Sequence, residues 1–352
     1  MRSRRFIWIL VLAAAIVAGC AIDPPLHLKQ GMKVVVKVLW KAEVYPEGIK
    51  PSGVTMYFFR DGEYYMQQTT HEVDSCTVQL EPGKYRLYMI SQSPEEFAYM
   101  QFNNLTDFDN ACVTIAETKS GWYTRADEET LIANPEMMIA GVSDEFIISP
   151  DLVESYQKHI AEVGEDESSE IIHYYTVRVP LYPKSIVSQF WVTIYSDNVD
   201  VLKSVRASTS GMARTFNLTQ GTTGEEECTQ IITDWSVTID DPINRTGHLD
   251  GKVTTFGFPR GEVPSQDREP TLNVSTLLID YNTVENYSFY VGDKITMEDP
   301  PPDGYRSLYR LIFGTVTEPA IHPPDVRPPD ESSGFDATVE GWEEGEIVEV
   351  GM

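Results

Sequence analysis

The sequence predicts an all-β fold of β-sandwiches or partly open barrels, with only a few short helices. Three observations support this prediction. Apolar and polar residues alternate over many short runs, as in Lys33–Lys41, where valines face one side and lysines the other, and this period of two is typical of strands. Turn-forming Gly, Pro, Asp and Asn residues separate the runs. Helix start signals are rare, which argues against a parallel α/β sheet.

Two turns are predicted between the first strands. Asp61-Gly62 separates the runs Val54–Phe59 and Tyr64–Thr69, a pattern that predicts a β-hairpin. Pro82-Gly83 predicts a tight turn, in which proline fixes its own φ and glycine takes a positive φ. The remaining predicted strands, in chain order, are Cys76–Leu80, Tyr85–Ile90, Val177–Leu181, Phe190–Ile194, Thr229–Asp240, Leu249–Gly257, Thr271–Tyr281 and Ser288–Met297.

Two segments carry helix start signals. Ser93-Pro94-Glu95-Glu96 has an N-cap serine, proline in the first turn and glutamate three residues after the cap, and it predicts a helix of about two turns. Ser149-Pro150-Asp151 predicts a second helix. The apolar face of that helix is formed by Leu152, Tyr156, Ile160 and Val163.

The length of 352 residues suits two domains, each large enough for a core of its own. The acidic segment Glu165–Glu170 predicts the boundary, with an N-terminal domain over 32–170 and a C-terminal domain over 171–352. Residues 300–330 are rich in proline and predict an extended connector without a core. A last strand is predicted within 336–350. It either completes the sheet of its own chain or pairs with a sheet edge of another molecule.

The N-terminus predicts export and lipidation. Arginines near the start precede the uncharged run Phe6–Ala18, which has the length of a signal-peptide core and is too short to cross a hydrocarbon layer of ~30 Å as a helix. It ends in Val17-Ala18-Gly19-Cys20, which resembles a bacterial lipobox. Residues 1–19 are therefore predicted to be a signal peptide, with Cys20 lipidated and a stalk over 20–31. The acyl chains would hold the protein to the outer membrane at the cell surface.

The charge balance narrows the class of partners. The chain has 27 Lys and Arg against 54 Asp and Glu, a formal net charge of −27. Nucleic-acid binding depends on basic side chains that neutralise phosphates, so nucleic acid is not an expected partner. No basic cluster is present that could bind anionic lipid, which leaves the lipid anchor as the predicted membrane contact.

Three cysteines remain after Cys20. Disulfides are permitted outside the cytoplasm, and Cys76 with Cys112 would be the natural pair, leaving Cys228 as a free thiol. A zinc site is disfavoured because these cysteines stand far apart in the sequence.

No catalytic motif, metal ligand set or cofactor fingerprint is found, so no catalytic residue, metal or cofactor is predicted. Asp107-Phe108-Asp109-Asn110 could offer oxygen ligands to calcium, but it lacks the glycine and distal glutamate of an EF-hand loop, and a solvated turn is the preferred interpretation. A glycosidase would need facing carboxylates assembled from distant positions.

Aromatic residues suggest a further alternative. Exposed on one sheet they would form a platform for sugars, whereas buried they would be ordinary strand core. The residues concerned are Tyr57, Phe58, Phe59, Tyr64, Tyr65, Phe190, Trp191 and Tyr195.

Several segments, in this order, resemble the FimB-type fimbrial anchor and accessory lipoproteins of Bacteroides-like bacteria. The segments, beside the lipobox, are Leu80–Tyr85, Phe190–Tyr195, Arg206-Ala207-Ser208, Ser210–Ala213, Gly251–Phe258 and Phe335–Val350. The resemblance implies two tandem β-sandwich domains of transthyretin-like topology and a non-enzymatic role in type V pili. It also implies pilin or other fimbrial subunits as partners.

The predicted function is therefore that of a non-enzymatic cell-surface lipoprotein, an anchor or accessory subunit of a type V pilus, joined to its partners by β-strand addition. Arg60 and Arg86 fall in predicted strands or turns, which leaves no convincing protease site for releasing the first strand. In this respect the chain differs from the stalk subunits that polymerise, and the difference favours a subunit that keeps its lipid. The alternatives are a glycan-binding surface lipoprotein that helps to capture polysaccharide, and a hydrolase with a dispersed active site.

Overall fold

The structure, a computed structural model, describes residues 31–40, 50–120, 129–163, 177–264, 270–299 and 304–329. Strands dominate these residues, which confirms the all-β prediction, and the one α-helix among them is α1 (Pro150–Val163). The signal peptide, Cys20, nearly all of the stalk and the predicted last strand lie outside the described residues.

The strands fall before and after α1. Those before it are β1 Met32–Val38, β2 Val54–Arg60, β3 Glu63–Thr70, β4 Ser75–Leu80, β5 Gly83–Ser91, β6 Met100–Asn103, β7 Cys112–Ile115, β8 Leu131–Ile132, β9 Ile139–Val142 and β10 Phe146–Ile148. Those after it are β11 Val177–Leu181, β12 Lys184–Ser185, β13 Ser188–Ser196, β14 Leu202–Ala213, β15 Thr215–Asn217, β16 Thr222–Thr223, β17 Glu227–Ile232, β18 Asp234–Asp241, β19 Thr246–Thr255, β20 Thr271–Leu278, β21 Val284–Tyr290, β22 Ile295–Glu298 and β23 Leu308–Phe313. Short 3-10 helices span Pro94–Glu96, Val199–Val201, Pro259–Gly261 and Gly292–Lys294.

The strands assemble into five sheets. Their strand orders are β11-β1-β4, β12-β9-β5-β2-β3 with β10 also paired to β5, β18-β19-β13-β23-β22, β21-β20-β14-β17-β8 and β16-β15-β7-β6. We call the third of these the Trp191 sheet. Strands from early and late in the chain pair directly, since β7 pairs with β15 and β8 with β17.

The chain divides into two compact units. The smaller consists of Met1–Val35, Thr77–Gly83 and Ile147–Arg178, and the larger of Val36–Cys76, Lys84–Phe146 and Val179–Met352. The Trp191 sheet lies wholly in the larger unit. The predicted pair of tandem domains, with a boundary near residue 170, stays a prediction because the boundary segment lies outside the described residues.

Alternation along β13 builds the core of the Trp191 sheet. Phe190, Val192 and Ile194 are fully buried, whereas the residues between them face outward. β13 runs antiparallel to β19 and parallel to β23. Phe289 of β21 stacks on Phe313 of β23, with 4.3 Å between ring centroids, so the neighbouring sheet β21-β20-β14-β17-β8 shares this core.

The first hairpin forms as predicted. Asp61 and Gly62 have φ values of 53° and 90°, and positive φ at both central residues is what a two-residue hairpin turn requires. The Pro82-Gly83 prediction is wrong, because Gly83 does not take a positive φ and instead begins β5. β4 and β5 belong to different sheets, so no hairpin geometry constrains the link between them.

Three other elements differ from the prediction. Thr229–Asp240 is two strands, β17 and β18, in different sheets, and Ser288–Met297 is likewise divided between β21 and β22. Ser93 precedes a single 3-10 turn rather than two helical turns, although its N–H donates to Glu96 Oε1 at 3.0 Å as the capping motif predicts. α1 is confirmed, with the N–H of Leu152 bonded to Ser149 Oγ.

Candidate interaction surfaces

β18 forms one edge of the Trp191 sheet. It pairs on one side with β19, in regular register from Asp234 opposite Lys252 to Ile239 opposite Gly247, after which the register shifts at Asp240. Within the part of the chain that the structure describes, no backbone group pairs with the other side of the strand. A row of free N–H and C=O groups is a template for a further strand.

The inward face of β18 is apolar and incompletely covered. Trp235 packs against the backbone of Gly251, and its Nε1 donates to Ile232 O at 2.8 Å. Val237 and Ile239 share this face, yet they are 38% and 50% exposed. Natural edge strands are commonly protected by inward-pointing charges or proline, and β18 has neither on this face. We call these three side chains and the free backbone beside them the β18 edge.

A cleft of about 200 Å³ opens on the outward face of the same sheet. Trp191 lies at its centre on β13. Lys252 of β19 and Arg310 of β23 stand opposite Trp191 in register, one on each neighbouring strand. Ser236, Asp250 and Thr193 complete the polar wall of what we call the Trp191 cleft.

The two cations of the Trp191 cleft are held against the indole. The ring centroid lies 4.5 Å from Lys252 Nζ and 5.0 Å from Arg310 Cζ, both within cation–π range. Trp191 Nε1 donates to Gln189 Oε1 at 2.9 Å, which fixes the ring. Arg310 Nε donates to Glu298 Oε1 at 2.8 Å, while the Lys252 ammonium makes no hydrogen bond or ion pair with a described residue.

The acidic side of the cleft is a connected network. Thr193 Oγ1 donates to Asp250 Oδ1 at 2.6 Å, and His248 Nε2 lies 3.2 Å from Asp250 Oδ2. The other ring nitrogen of His248 lies 2.7 Å from Asp240 Oδ2. Asp250 therefore presents a carboxylate of fixed orientation to the cleft.

The aromatic residues that suggested a sugar platform do not lie together. Tyr57, Phe58, Phe59 and Phe190 are buried in the core. Trp191 and Tyr195 share the outward face of β13. On β3, Tyr64 is exposed, and Tyr65 is half-buried with its ring edge-to-face against Tyr85. A coplanar row of exposed rings is therefore absent among these eight residues, and Trp191 has cations beside its ring instead of an open aromatic surface.

Asp107 closes a turn, in agreement with the preferred interpretation. Its Oδ1 accepts the N–H groups of Asp109 and Asn110, and its Oδ2 accepts from Asn110 Nδ2 at 2.9 Å. The side-chain hydrogen bond from Asn110 is the main reason that the pKa of Asp107 lies below its ordinary value. Among the described residues, no cluster of three or more His, Cys, Asp and Glu could hold a metal.

The family of the chain follows from its sequence match. Residues 27–234 match the family model described as "Domain of unknown function (DUF5119)". The chain belongs to the DUF5119 family. Among curated proteins, no sequence matches this DUF5119 chain.

Solved structures show which fold the DUF5119 chain shares. It is similar to a candidate adhesin from Bacteroides ovatus ATCC 8483, with 13% identity and a TM-score of 0.54 over 88% of this chain and 98% of that one. Similar structures also include the fimbrial anchor protein Mfa2 from Porphyromonas gingivalis, with 11% identity and a TM-score of 0.45 over 80% and 90% of the two chains. The predicted resemblance to fimbrial proteins of Bacteroides-like bacteria is thus confirmed as a shared fold.

The cysteines of the DUF5119 chain stand on separate strands. Cys76 lies on β4 and Cys112 on β7, which belong to different sheets, and both are free thiols in the structure, as is Cys228 on β17. Burial raises the pKa of Cys76 to about 11. Burial also raises the pKa of the other two thiols, and Cys228 Sγ donates to Met212 O at 3.1 Å. The predicted disulfide between Cys76 and Cys112 stays a prediction.

We expect the thiols to react in a fixed order. Cys112 is half-buried and should be modified first by a disulfide reagent at pH 8, whereas Cys76 and Cys228 are buried and should react only on unfolding, because the thiolate is the reactive form. A spectrophotometric thiol count on exported protein, before and after denaturation, measures this. If all three cysteines are free, as in the structure, the count after denaturation is three. A count of one would indicate the predicted disulfide between Cys76 and Cys112.

No helix among the described residues is long and apolar enough to span a membrane. Cys20 lies outside the described residues, so the lipid anchoring of the DUF5119 chain stays a prediction.

Proposed function

We propose that this chain is a non-enzymatic cell-surface lipoprotein, tethered to the outer membrane through Cys20, that serves as an anchor or accessory subunit of a type V pilus. The observation that carries the proposal is the β18 edge, where one side of the strand has no pairing partner among the described residues and two apolar side chains are partly exposed. The shared fold with a candidate adhesin supports the same role. The partner would be a pilin or other fimbrial subunit that adds an extended segment to β18.

Strand addition suits a joint under tension. Each added residue pair contributes main-chain hydrogen bonds along the edge, and alternate side chains supply specificity. Burial of Val237 and Ile239 beneath an added strand would remove apolar surface from water at about 25 cal/mol per Å². A tethered subunit joined in this way transmits force from the pilus to the lipid through many parallel bonds.

The side chains of β18 define the segment that fits. Its inward positions are Val237 and Ile239, so the partner needs apolar residues at alternate positions. Its outward face carries Asp234 and Asp240, and opposite charges across neighbouring strands stabilise a sheet. The partner segment should therefore alternate apolar residues with lysine or arginine.

The double variant Val237→Lys/Ile239→Lys tests this proposal. Inward-pointing lysines block pairing at an edge, so recovery of pilins with the lipidated full-length protein from outer-membrane fractions should fall about 10-fold or more. Stability should change little because both side chains are substantially exposed. The matched control is Val284→Lys/Asn286→Lys, which puts two lysines on β21, the edge strand of the neighbouring sheet. Equal pilin recovery by both variants would contradict the role of β18.

Deletion of residues 336–352 separates the two interpretations of the predicted last strand. A loss of pilin recovery, with folding unchanged, would indicate that this strand joins another molecule. A gain would indicate that it covers an edge of its own chain, and unchanged recovery would count against any role for it in attachment.

A further inference from the structure

We propose that the Trp191 cleft binds a sugar acid, a single polyhydroxylated ring bearing a carboxylate, such as a hexuronate. Lys252 and Arg310 would hold the carboxylate, and Asp250 would accept hydrogen bonds from ring hydroxyls. This site goes beyond the proposed pilus role and uses the outward face of the sheet rather than the β18 edge, so either proposal can fail without the other.

The cations of the cleft are arranged for an anion. The chain as a whole carries a formal charge of −27, yet two of the three charged residues that line the cleft, Lys252 and Arg310, are cations. The nearest other carboxylates lie outside this lining: Glu298 pairs with Arg310 Nε, and Asp234 stands opposite Lys252 in register without forming an ion pair with it. The Lys252 ammonium has no acidic partner among the described residues. The hydrogen bond from Arg310 to Glu298 uses Nε alone, which leaves the terminal NH₂ groups of the guanidinium for a ligand.

The indole makes these cations a rigid pair. Trp191 lies on the central strand β13, between Lys252 and Arg310 on the two flanking strands, and both cations contact its ring. The bond from Trp191 Nε1 to Gln189 fixes the ring. Long basic side chains lose rotamer entropy when they bind, and side chains already held against an indole lose less.

The remaining lining selects the kind of anion. Asp250 is fixed by Thr193 and faces the cleft beside Ser236. A carboxylate here repels a bare anion such as phosphate or an acidic peptide side chain, but it accepts hydrogen bonds from hydroxyls. A ligand that carries both a carboxylate and hydroxyls satisfies both sides of the cleft. The volume of about 200 Å³ suits one small ring.

Isothermal titration of the full-length protein with galacturonate, galactose, propionate and inorganic phosphate tests the proposal. We expect galacturonate to bind with a dissociation constant of ~1 mM and the other three at least about 10-fold more weakly, because galactose lacks the carboxylate, propionate lacks the hydroxyls and phosphate lacks both. Equal binding of galactose, propionate or phosphate would overturn the proposal. Absence of galacturonate binding at ~50 mM, far above that constant, would also overturn it.

Variants locate the site. Lys252→Met and Arg310→Met should each weaken galacturonate binding about 10- to 100-fold, as expected for charge-assisted hydrogen bonds. The matched control is Lys203→Met, because Lys203 Nζ also lies over an aromatic ring, 5.3 Å from the centroid of Tyr281, but on another sheet. Asp250→Asn should weaken galacturonate binding while strengthening propionate binding. Folding is checked by thermal melting, and an equal effect of the Lys203 and Lys252 variants would overturn the assignment.

Discussion

Replacement of Phe190 by alanine is expected to lower the free energy of unfolding by about 3–5 kcal/mol. Phe190 is fully buried on β13, the central strand of the Trp191 sheet, and its ring lies 6.3 Å from that of Phe258 in an edge-to-face arrangement. Hydrogen-bonded strands on both sides keep the backbone from collapsing into the space left by the ring. Urea denaturation monitored by circular dichroism measures the loss.

Ile312→Ala is the matched control for that experiment. Ile312 lies on the adjacent strand β23 but faces outward and is 49% exposed, so its loss should cost less than about 1 kcal/mol. Similar losses of unfolding free energy in the two variants would contradict the assignment of one face of the sheet to the core and the other to solvent. The same pair of variants should leave galacturonate binding intact, since neither side chain is a proposed contact of the Trp191 cleft.

Alternation in the sequence was sufficient to predict strands and their faces. β13 shows this most clearly, because Phe190 and Trp191 are neighbours of similar hydrophobicity, and only the period of two separates a core residue from an outward one. Alternation also predicted β1 closely, whereas β2 and β3 were predicted from the Asp61-Gly62 turn between two strand-like runs, and β2 is buried on both faces. These features are local, since they depend on residues a few positions apart.

The places where strands change sheets could not be predicted in the same way. β17 and β18 are separated by Thr233 alone, and the inward positions change from Cys228, Gln230 and Ile232 in β17 to Trp235, Val237 and Ile239 in β18. In the sequence, Ile231 and Ile232 are both apolar, so the change of phase is hidden and the segment resembles one continuous strand. The sequence also did not predict the β18 edge. Whether a strand lies at an edge depends on which other strands pair with it, and the sequence of a single strand does not determine its pairing.

The Trp191 cleft was missed because its residues meet only through register. Lys252 and Arg310 lie on β19 and β23 and reach Trp191 because each stands opposite it in the sheet. The signal present in the sequence was the outward position of all three in their own strands. Without strand order, that signal describes ordinary solvated charges and a half-exposed indole.

Residues 300–330 were predicted to be an extended connector without a core, and this prediction is wrong for Leu308–Phe313, which is β23. Tyr309, Leu311 and Phe313 alternate along β23 and are buried, so this segment is part of the Trp191 sheet. Only the residues after β23, over 314–329, remain as a connector, and they are anchored to β13.

Ile321 is buried, and its N–H and that of Ala320 donate to Tyr195 O at the end of β13. Asn198 Nδ2 donates to Pro323 O at 2.9 Å. A single buried isoleucine beside prolines carries little sequence signal, although together with the buried Pro323 it fixes the path of the connector.

Replacement of Ile321 by alanine is therefore expected to release the connector. Loss of a buried isoleucine typically costs about 2–5 kcal/mol, and here the cost falls on residues 315–329 because few other side chains of that segment are buried. Hydrogen exchange followed by mass spectrometry should show faster exchange in peptides from 315–329, while peptides from β13 and β19 keep their protection. Equal acceleration in all of these peptides would show that Ile321 belongs to the global core.

His322→Ala provides the matched control for the connector. His322 Nδ1 lies 2.6 Å from Asp197 Oδ2, but the imidazole is largely exposed, and an exposed ion pair contributes only about 0–1 kcal/mol. Exchange in 315–329 should therefore change little in this variant. Asp325 of the connector also pairs with Arg245, in the turn between β18 and β19, at 2.9 Å. This contact brings the connector next to the end of the β18 edge. Release of the connector in Ile321→Ala should therefore alter pilin recovery only if the segment beyond the connector takes part in attachment.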